Sequence, residues 1–342
     1  MKNKFKTSAG RITLKDIAKD TGFSVNTVSH ALKDMEDISE KTRRLIQQRA
    51  KEMGYIADSV AGSLRSGKTR TIAVILGDVS NPHFGLWVRE IETEVFRHGY
   101  NTLIINTDED EDVEQSAVIA AIGKRVDGII ICPTQKQTDC LRLLQNSGIP
   151  FVLIGRRWEK ADMDYVVLDD VRGGYIATRN LMERGADRIL FLNGPEHISS
   201  SRERLQGYLD AHRDTGLAVD PALIQTVGIK SGECGKVLQE IIGREIDFDG
   251  ILAFSDIVAF DTLNELRKLG GVSSHMPIAS FDDIMQGLVL PIPLDSVDSA
   301  EGSLSVAAAN LLLQRIKGKS RNEQHQPQQI VLDVKLVHRN FF

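Results

Sequence analysis

The first 57 residues carry three short helical patterns, each with its own start signal, and this limits the segment to a small helical unit. Thr13 can cap a first helix, and Asp16 stands where a capping box needs a carboxylate. Gly22 ends that helix, and Ser24 can cap a second one over residues 25–32. Two helices joined by a glycine-bearing turn predict a helix-turn-helix.

A third helix is predicted between Ser39, which can cap it, and Gly54, which fits its C-terminal stop. Its apolar stripe consists of Leu45, Ile46, Ala50 and Met53. Leu45 is expected in the core of the helical unit. The same is expected of Ile17, Ala18 and Val28.

Charge is divided unevenly along the chain. Residues 1–70 hold 15 Lys and Arg against 8 Asp and Glu, a net charge of +7, and the remaining residues hold 27 against 39, a net charge of −12. The formal net charge of −5 therefore conceals a basic end and an acidic body. A basic helix-turn-helix on an acidic body suits a protein that touches DNA phosphates with one end only.

Three longer stretches match a family pattern. They are TLKDIAKDTGFSVNTVSHAL from Thr13 to Leu32, ISEKTRRLIQQRAKEMGYIADSVAGSLRSGKTRTIAVI from Ile38 to Ile75, and GYIATRNLMERGADRILFLNGP from Gly174 to Pro195. In this order they resemble the LacI/GalR family of bacterial repressors, and the likeness runs from about Thr13 to Arg339. It implies a homodimeric, sequence-specific repressor of transcription with a helix-turn-helix headpiece (residues 1–57), a hinge (58–68) and an effector-binding core (69–342).

The second helix carries the side chains expected to read operator DNA. Asn26 can form two hydrogen bonds with adenine, His30 can donate to a guanine acceptor, and Val25 can pack on a thymine methyl group. Many family members carry Arg where His30 stands, and the purine-repressor branch carries His. The other predicted contacts in the headpiece are hydroxyl side chains, suited to phosphates: Thr13, Ser24, Thr27 and Ser29.

Residues 58–65 match the family hinge. An isolated segment of this length is marginal as a helix in water, so we expect it to fold on DNA. In the family, two hinges pair across the dimer and a leucine enters the minor groove. Leu64 occupies that place with Ala61 beside it. Gly62 departs from the residue often found there and weakens the helix.

Beyond the hinge, apolar runs rich in β-branched residues alternate with amphipathic helical stretches. The predicted strands begin at residues 71, 102, 128 and 151 in a first set and at 188, 250 and 277 in a second. This pattern predicts an α/β core of two parallel sheets flanked by helices, arranged as two lobes with a cleft.

The family resemblance adds the path of the chain between the lobes, as in periplasmic sugar-binding proteins. It implies three crossings, near Asp169, Pro293 and Pro327. The first lobe then comprises about residues 69–168 and 296–326, and the second about 169–295 and 327–342.

The resemblance also indicates the effector site. Arg204 matches the arginine that grips the ligand, and Asp282 matches a carboxylate that accepts from sugar hydroxyls or a purine edge. Asp256 matches an aspartate after a strand, with lobe packing as its other reading, and Ser255 stands where a ligand-binding asparagine is common. The ring-bearing candidates are His83, Phe84 and Trp158, and for the aromatic positions core packing is the alternative.

Departures from the family pattern leave the ligand open. Gly185-Ala186 replaces the usual Gly-His, and Asp169-Asp170 replaces the usual Asp-Asn. A sugar or sugar derivative is expected as the effector, and a purine-type corepressor is the alternative. Lys230 is either a solvated side chain or a sign of an anionic sugar. Inducers and corepressors both occur in the family, so the sign of regulation stays open.

Other classes of function fit the residues less well. No glycine-rich phosphate loop or dinucleotide fingerprint follows the first core strand, so an enzyme is not expected. A sugar-binding protein that does not bind DNA would share the core, but it would carry a secretion signal in place of a basic helix-turn-helix.

Cys132, Cys140 and Cys234 are too few and too scattered for a disulfide framework or a zinc site. No apolar stretch of about twenty residues predicts a membrane span. We therefore expect no cofactor, no metal and no membrane partner, and a cytoplasmic protein associated with the nucleoid.

Overall fold

A computed structural model describes residues 12–57, 67–158, 162–230, 232–268, 276–284, 294–300, 302–320 and 326–338. The chain separates into two compact units, Met1–Thr69 and Arg70–Phe342. The first unit contains the headpiece, and the second corresponds to the core.

The described headpiece contains helices α1 (Leu14–Thr21), α2 (Val25–Ala31) and α3 (Glu40–Met53). The predicted capping box is present, because Thr13 and Asp16 each accept a hydrogen bond from the backbone N–H of the other. The hydroxyls of Ser24 and Ser39 cap α2 and α3. The predicted stops are found, in the left-handed conformation, at Gly22 and Gly54. The helix-turn-helix prediction is confirmed.

Apolar side chains from all three helices form the core of the headpiece. Its buried members are Ile17, Ala18, Val28, Ala31, Ile46 and Ala50. Met53 is partly buried against them, but Leu45 is 48% exposed, so its predicted place in the core is wrong. Ile46, Ala50 and Met53 follow the i, i+4, i+7 spacing of one helix face, and Leu45 lies about 100° away from Ile46 around the helix.

The first lobe of the core is a six-stranded parallel sheet with helices on both faces. Its strands in spatial order are β11 (Gln329–Leu332), β5 (Tyr165–Leu168), β4 (Phe151–Ile154), β3 (Gly128–Ile131), β1 (Thr71–Leu76) and β2 (Asn101–Asn106). Helices α4 (Pro82–Arg97) and α11 (Leu304–Ser320) cover one face, and α5 (Glu111–Gly123) and α6 (Asp139–Ser147) cover the other. Alternate residues of β1 supply the two faces, as the pleat requires.

The second lobe is a sheet of the same size, parallel except at one edge. Its strands in spatial order are β12 (Val334–Val337), β10 (Asp295–Ser299), β9 (Ile278–Phe281), β8 (Gly250–Ala253), β6 (Ile189–Asn193) and β7 (Ile224–Thr226). Helices α7 (Asp170–Glu183) and α8 (Ser199–Thr215) pack on one face, and α9 (Gly235–Gly243) and α10 (Asp256–Lys268) on the other. The predicted two-lobed α/β core is confirmed.

Two of the predicted crossings between the lobes need correction. The chain leaves the first lobe at Asp169, as predicted, but β10 pairs with β9 in the second sheet and β11 pairs with β5 in the first. Residues 295–299 therefore belong to the second lobe and residues 329–332 to the first. The last crossing lies at Asp333, between β11 and β12. Pro327 precedes a strand without marking a change of lobe, and the position predicted at Pro293 lies outside the described residues.

Helices α7 and α8 approach each other at two glycines. A Cβ atom on Gly174 would lie 2.3 Å from the carbonyl oxygen of Arg204, and one on Gly207 would lie 2.1 Å from that of Val171. Backbone atoms cannot move aside as side chains do, so both positions require glycine. This close contact holds the backbone of Arg204 directly against α7. None of the helices in the described segments has the length and apolarity of a membrane span.

Replacing Gly174 with Ala is expected to lower the free energy of unfolding of the core by about 1–3 kcal/mol or more, because the added methyl group meets backbone. Gly85→Ala is the matched control, since Gly85 lies in α4 with open space around it, and should raise stability by up to about 1 kcal/mol. Urea unfolding followed by far-ultraviolet circular dichroism measures both changes, because helices of both lobes contribute to the signal. Equal effects of the two variants would contradict the packing argument.

Candidate functional site

The recognition helix α2 has one buried side and one accessible side. Val28 and Ala31 are buried in the headpiece, and Val25 is 41% exposed with Asn26 exposed beside it. His30 lies in the last turn of α2 and is partly exposed. The three predicted base contacts are thus accessible side chains of one short helix, as docking in the major groove requires.

The predicted phosphate contacts have local structural roles as well. The hydroxyl of Thr13 bonds the Asp16 carboxylate at 2.7 Å, and the hydroxyls of Ser24 and Thr27 lie 2.9 Å apart. Ser29 is partly exposed. Thr13, Ser24 and Thr27 lie at the caps and in the first turns of helices, where the backbone N–H groups also favour phosphate. The predicted hinge contacts, Ala61 and Leu64, lie outside the described residues.

A cavity lies between the two lobes of the core, at the carboxyl ends of the strands of both sheets. The first lobe contributes Asp78, Asn81, His83, Phe84, Trp87, Glu109, Cys132, Gly155 and Arg156, and the second contributes Ser200, Arg204, Ile229, Lys230, Phe254, Ser255 and Asp282. Parallel α/β sheets bind ligands at this end of their strands. We call this space the interlobe cavity.

Arg204 lines the interlobe cavity and is held by several contacts. Its Nε donates to Asp170 at 2.7 Å, and its Nη1 donates to the carbonyl oxygen of Phe254. The guanidinium lies 4.6 Å from the ring centre of Phe254 and 3.9 Å from that of Phe281. Burial raises the pKa of Asp170, and the charge of Arg204 opposes that shift. Nη2 is the part of the guanidinium that these contacts leave for a ligand.

A second buried arginine on the cavity wall was not predicted. Arg156 donates through Nη1 and Nη2 to the two carboxylate oxygens of Glu109, at 2.8 and 2.9 Å. Nη1 also donates to the carbonyl oxygen of Pro133 at 3.0 Å. Both residues of the pair are close to strand ends, Arg156 after β4 and Glu109 after β2. That position in the chain is the signal by which they could have been found.

Other lining residues that were not predicted share the same position, in the segments that follow strands. They are Asp78, Asn81 and Trp87 after β1, Cys132 after β3, Gly155 after β4, Ser200 after β6, Ile229 after β7 and Phe254 after β8.

His83 and Phe84 lie at the start of α4 and line the cavity together with Trp87. The ring centres of His83 and Trp87 are 4.5 Å apart, and those of Phe84 and Trp87 are 5.4 Å apart at nearly right angles. His83 Nε2 lies 3.9 Å from an oxygen of Asp282, which belongs to the other lobe. This aromatic wall and the carboxylate together offer an apolar face and an acceptor to a ligand.

Ser255 lines the interlobe cavity and Asp256 does not, which favours the other reading of Asp256, packing within the lobe. Its carboxylate is fully buried and accepts hydrogen bonds from the hydroxyl of Ser280, from the hydroxyl of Ser296 at 2.8 Å and from the backbone N–H of Ile284 at 2.9 Å. Burial and the nearby Asp282 raise the pKa of Asp256 to about 7. At the first position of α10 the side chain turns into the lobe.

The hydrogen bonds of Asp256 hold a turn at residues 282–283 that has an unusual backbone conformation. Asp282 has a φ of 99° and Asp283 a φ of 40°, a left-handed backbone that residues other than glycine seldom adopt. The backbone N–H of Asp283 donates to Ser296 at 2.9 Å. Asp256 therefore supports the turn that presents Asp282 to the cavity.

Trp158 does not lie at the interlobe cavity, where it was predicted. It packs partly buried against the apolar cluster that contains Met163 and Tyr165 and does not line the cavity. Arg156, two residues earlier, occupies the wall instead. Lys230 does line the cavity, and its Nζ lies 3.1 Å from Asp108 of the other lobe.

In the described part of the chain, no group of three His, Cys, Asp or Glu side chains is arranged to hold a metal ion. Burial raises the pKa of the Cys132 thiol to about 12, so this lining residue is a neutral apolar side chain at physiological pH.

Comparison with known proteins assigns both units to one family. Residues 13–58 match the family of bacterial regulatory proteins of the LacI type, and residues 69–340 match the periplasmic binding proteins and sugar-binding domain of the LacI family. The chain belongs to the LacI family. It is a DNA-binding transcriptional regulator with a ligand-binding core, as the sequence predicted.

Individual relatives agree with this assignment. The LacI-family chain is 30% identical over 330 residues to the HTH-type transcriptional repressor PurR of Actinobacillus pleuropneumoniae serotype 5b, covering 96% of this chain and 97% of the relative. It is 31% identical over 339 residues to the regulator DegA of Bacillus subtilis, covering 96% and 98%. A LacI-family regulator from Enterococcus faecium with bound ribose is 25% identical, with a TM-score of 0.66, and the match covers 79% of this chain and 97% of that chain.

Replacing Arg204 with Ala in this LacI-family regulator should lower the free energy of unfolding of the core by about 3–5 kcal/mol, because Asp170 stays buried without its cation. Adding Asp170→Asn should recover part of the loss. Arg213→Ala, on the same helix with a side chain that is 69% exposed, should change it by no more than about 1 kcal/mol. Urea titration measures all of these variants. A loss at Arg213 as large as that at Arg204 would contradict the role of the buried ion pair.

Proposed function

We propose that this LacI-family regulator reads operator DNA with the accessible side of α2 and binds an uncharged, hydroxyl-rich ligand in the interlobe cavity. Ligand binding changes the affinity for operator DNA, and operator binding changes the affinity for the ligand by the same factor. The proposal that the ligand is uncharged is based on the pairing of charges around the cavity.

Each arginine or lysine that lines the cavity has a carboxylate beside it. The pairs are Arg156 with Glu109, Arg204 with Asp170 and Lys230 with Asp108. Two further lining carboxylates, Asp78 and Asp282, have no arginine or lysine within ion-pair distance among the described residues. Such carboxylates accept hydrogen bonds from hydroxyls and repel phosphate or carboxylate groups. This balance favours a neutral sugar over the anionic sugar that Lys230 alone would suggest.

A purine is the second candidate ligand. The aromatic wall formed by His83, Phe84 and Trp87 favours it, because a flat ring can stack there. The ribose-bound regulator from Enterococcus faecium supports the sugar. Direct binding to a panel of both classes separates the two candidates.

The regulator is proposed to act as a homodimer. Strand β2 lies at the edge of the first sheet, and its Ile104 is 45% exposed. Phe96 is 70% exposed near the end of α4, which packs against β2. Large exposed apolar side chains beside an unpaired strand edge are typical of a protein interface. Two headpieces held by such a dimer would read an inverted repeat.

We further propose that the regulator has no catalytic activity and works in the cytoplasm with the nucleoid. The protonated Cys132 thiol offers no nucleophile to a ligand in the cavity. The location is that of its proposed partner, operator DNA.

The ligand proposal is tested by the melting temperature of the purified chain with D-ribose, cellobiose, D-glucose, glucose 6-phosphate, gluconate or hypoxanthine. An uncharged sugar is expected to raise the melting temperature, because it binds the native state. Asp282→Asn should weaken its affinity about 10-fold to 100-fold through loss of charged hydrogen bonds, and asparagine tolerates the left-handed backbone. Asp139→Asn, at the exposed start of α6, is the control. A response only to glucose 6-phosphate, gluconate or hypoxanthine would refute the neutral-sugar proposal.

The DNA proposal is tested by selection of duplexes from a random pool with the full chain. Wild type should select an inverted repeat of about 14–20 base pairs, because each headpiece of a dimer binds one half-site. His30→Ala should lose about 1–3 kcal/mol of discrimination at one base pair in each half-site. A site without two-fold symmetry would refute the dimer, and an unchanged preference in His30→Ala would refute base reading by this histidine.

A further inference from the structure

His30 is hydrogen-bonded to a residue outside the recognition helix. Its Nδ1 lies 2.6 Å from Oδ2 of Asp37, seven residues later in the turn between α2 and α3. Both side chains are accessible, with 31% and 56% of their surface exposed. The pair therefore lies at the surface of the headpiece, beside the accessible side of α2, and it is not part of the buried core.

The chemistry of the pair fixes the role of Nδ1. An ionised carboxylate only accepts hydrogen bonds, so the ring nitrogen that faces Asp37 must carry a hydrogen and donate. Rotation of the imidazole about its bond to Cβ would break this contact. In the described headpiece, Nε2 is then the ring nitrogen of His30 that remains for a base edge. It donates to a guanine acceptor, as predicted above, when both ring nitrogens carry hydrogens, and it accepts from a base amino group when only Nδ1 does.

The turn that carries Asp37 is itself anchored. The backbone N–H groups of Lys33 and Met35 donate to the carbonyl oxygen of His30, both at 3.1 Å, and Ile38 packs against the headpiece core. From α3, the side chain of Gln47 donates to the carbonyl oxygen of Ala31 at 3.1 Å. Asp37 is therefore held near His30 by the fold of the headpiece before any DNA is bound.

We propose that Asp37 is a positioning residue for base recognition: it orients the ring of His30 so that Nε2 points to one base pair of the operator half-site. This inference rests on the proposed function, in which His30 reads a base. A side chain ordered before binding loses less conformational entropy when it contacts its target, so the correct base gains more than the incorrect ones. Asp37 itself need not contact DNA.

Glu36 provides a matched control for Asp37. It is an exposed carboxylate in the same turn, and His30 is bonded to Asp37 and not to it. Removing either acid takes one negative charge from the surface near DNA, which strengthens binding to every sequence alike. Only Asp37 should change the preference at the base pair that His30 reads.

The experiment uses the full chain and the duplex it selects from a random pool, with every alternative base pair substituted in turn at each position of one half-site. Dissociation constants are measured for wild type, His30→Ala, Asp37→Ala, Asp37→Glu, Glu36→Ala and the double variant His30→Ala with Asp37→Ala. Asp37→Ala should lower discrimination about 3-fold to 10-fold at the base pair affected by His30→Ala, and nowhere else. Asp37→Glu should restore part of it, and Glu36→Ala should leave it unchanged.

The double variant decides whether Asp37 acts through His30. If it does, Asp37→Ala has no further effect on discrimination once His30 is Ala. Discrimination that is unchanged in Asp37→Ala, or lowered equally at all positions, would overturn the proposal while leaving base reading by His30 intact. If His30→Ala changes the preference at no position, both the readout by His30 and the role of Asp37 are refuted.

Discussion

The buried ion pair between Arg204 and Asp170 is the interaction on which the interlobe cavity depends. Two aromatic rings enclose the guanidinium, and Asp170 orients it, so its remaining edge faces the cavity in one direction. The pair is possible because α7 and α8 meet at Gly174 and Gly207, where any side chain would meet backbone. A buried charge pair is stable only when its geometry is fixed in this way. The close packing of α7 against α8 therefore requires the two glycines, and it places Arg204, paired with Asp170, at the cavity wall.

The two lobes are also joined by charged pairs that cross the cleft. In the described core, Arg157 reaches Glu203 at 2.9 Å and Lys230 reaches Asp108 at 3.1 Å. A ligand in the interlobe cavity would add its own bonds between the same two lobes. In the proposed function, a ligand would favour the arrangement in which the lobes are joined, and any difference in operator affinity between this arrangement and others would become a response to the ligand.

Local features such as helix caps were predicted from the sequence better than contacts between residues that are far apart in the chain. The caps Thr13, Ser24 and Ser39 were found because each acts on a backbone group only a few residues away. The strands were found from their apolar runs. The pair of Arg156 and Glu109 joins residues 47 apart, so no short pattern encodes it. Neither Trp158 nor Asp256 lines the cavity, for a related reason: the direction of a side chain after a strand depends on packing that the sequence pattern does not specify.

The central claim is that one chain couples a ligand between its lobes to DNA read by its headpiece. The most direct test measures the dissociation constant for the selected duplex with and without the sugar that most raises the melting temperature, and the dissociation constant for that sugar with and without the duplex. The account predicts that both ratios are equal and differ from one by about 5-fold to 150-fold. A sugar that binds the cavity while both ratios remain at one would contradict it.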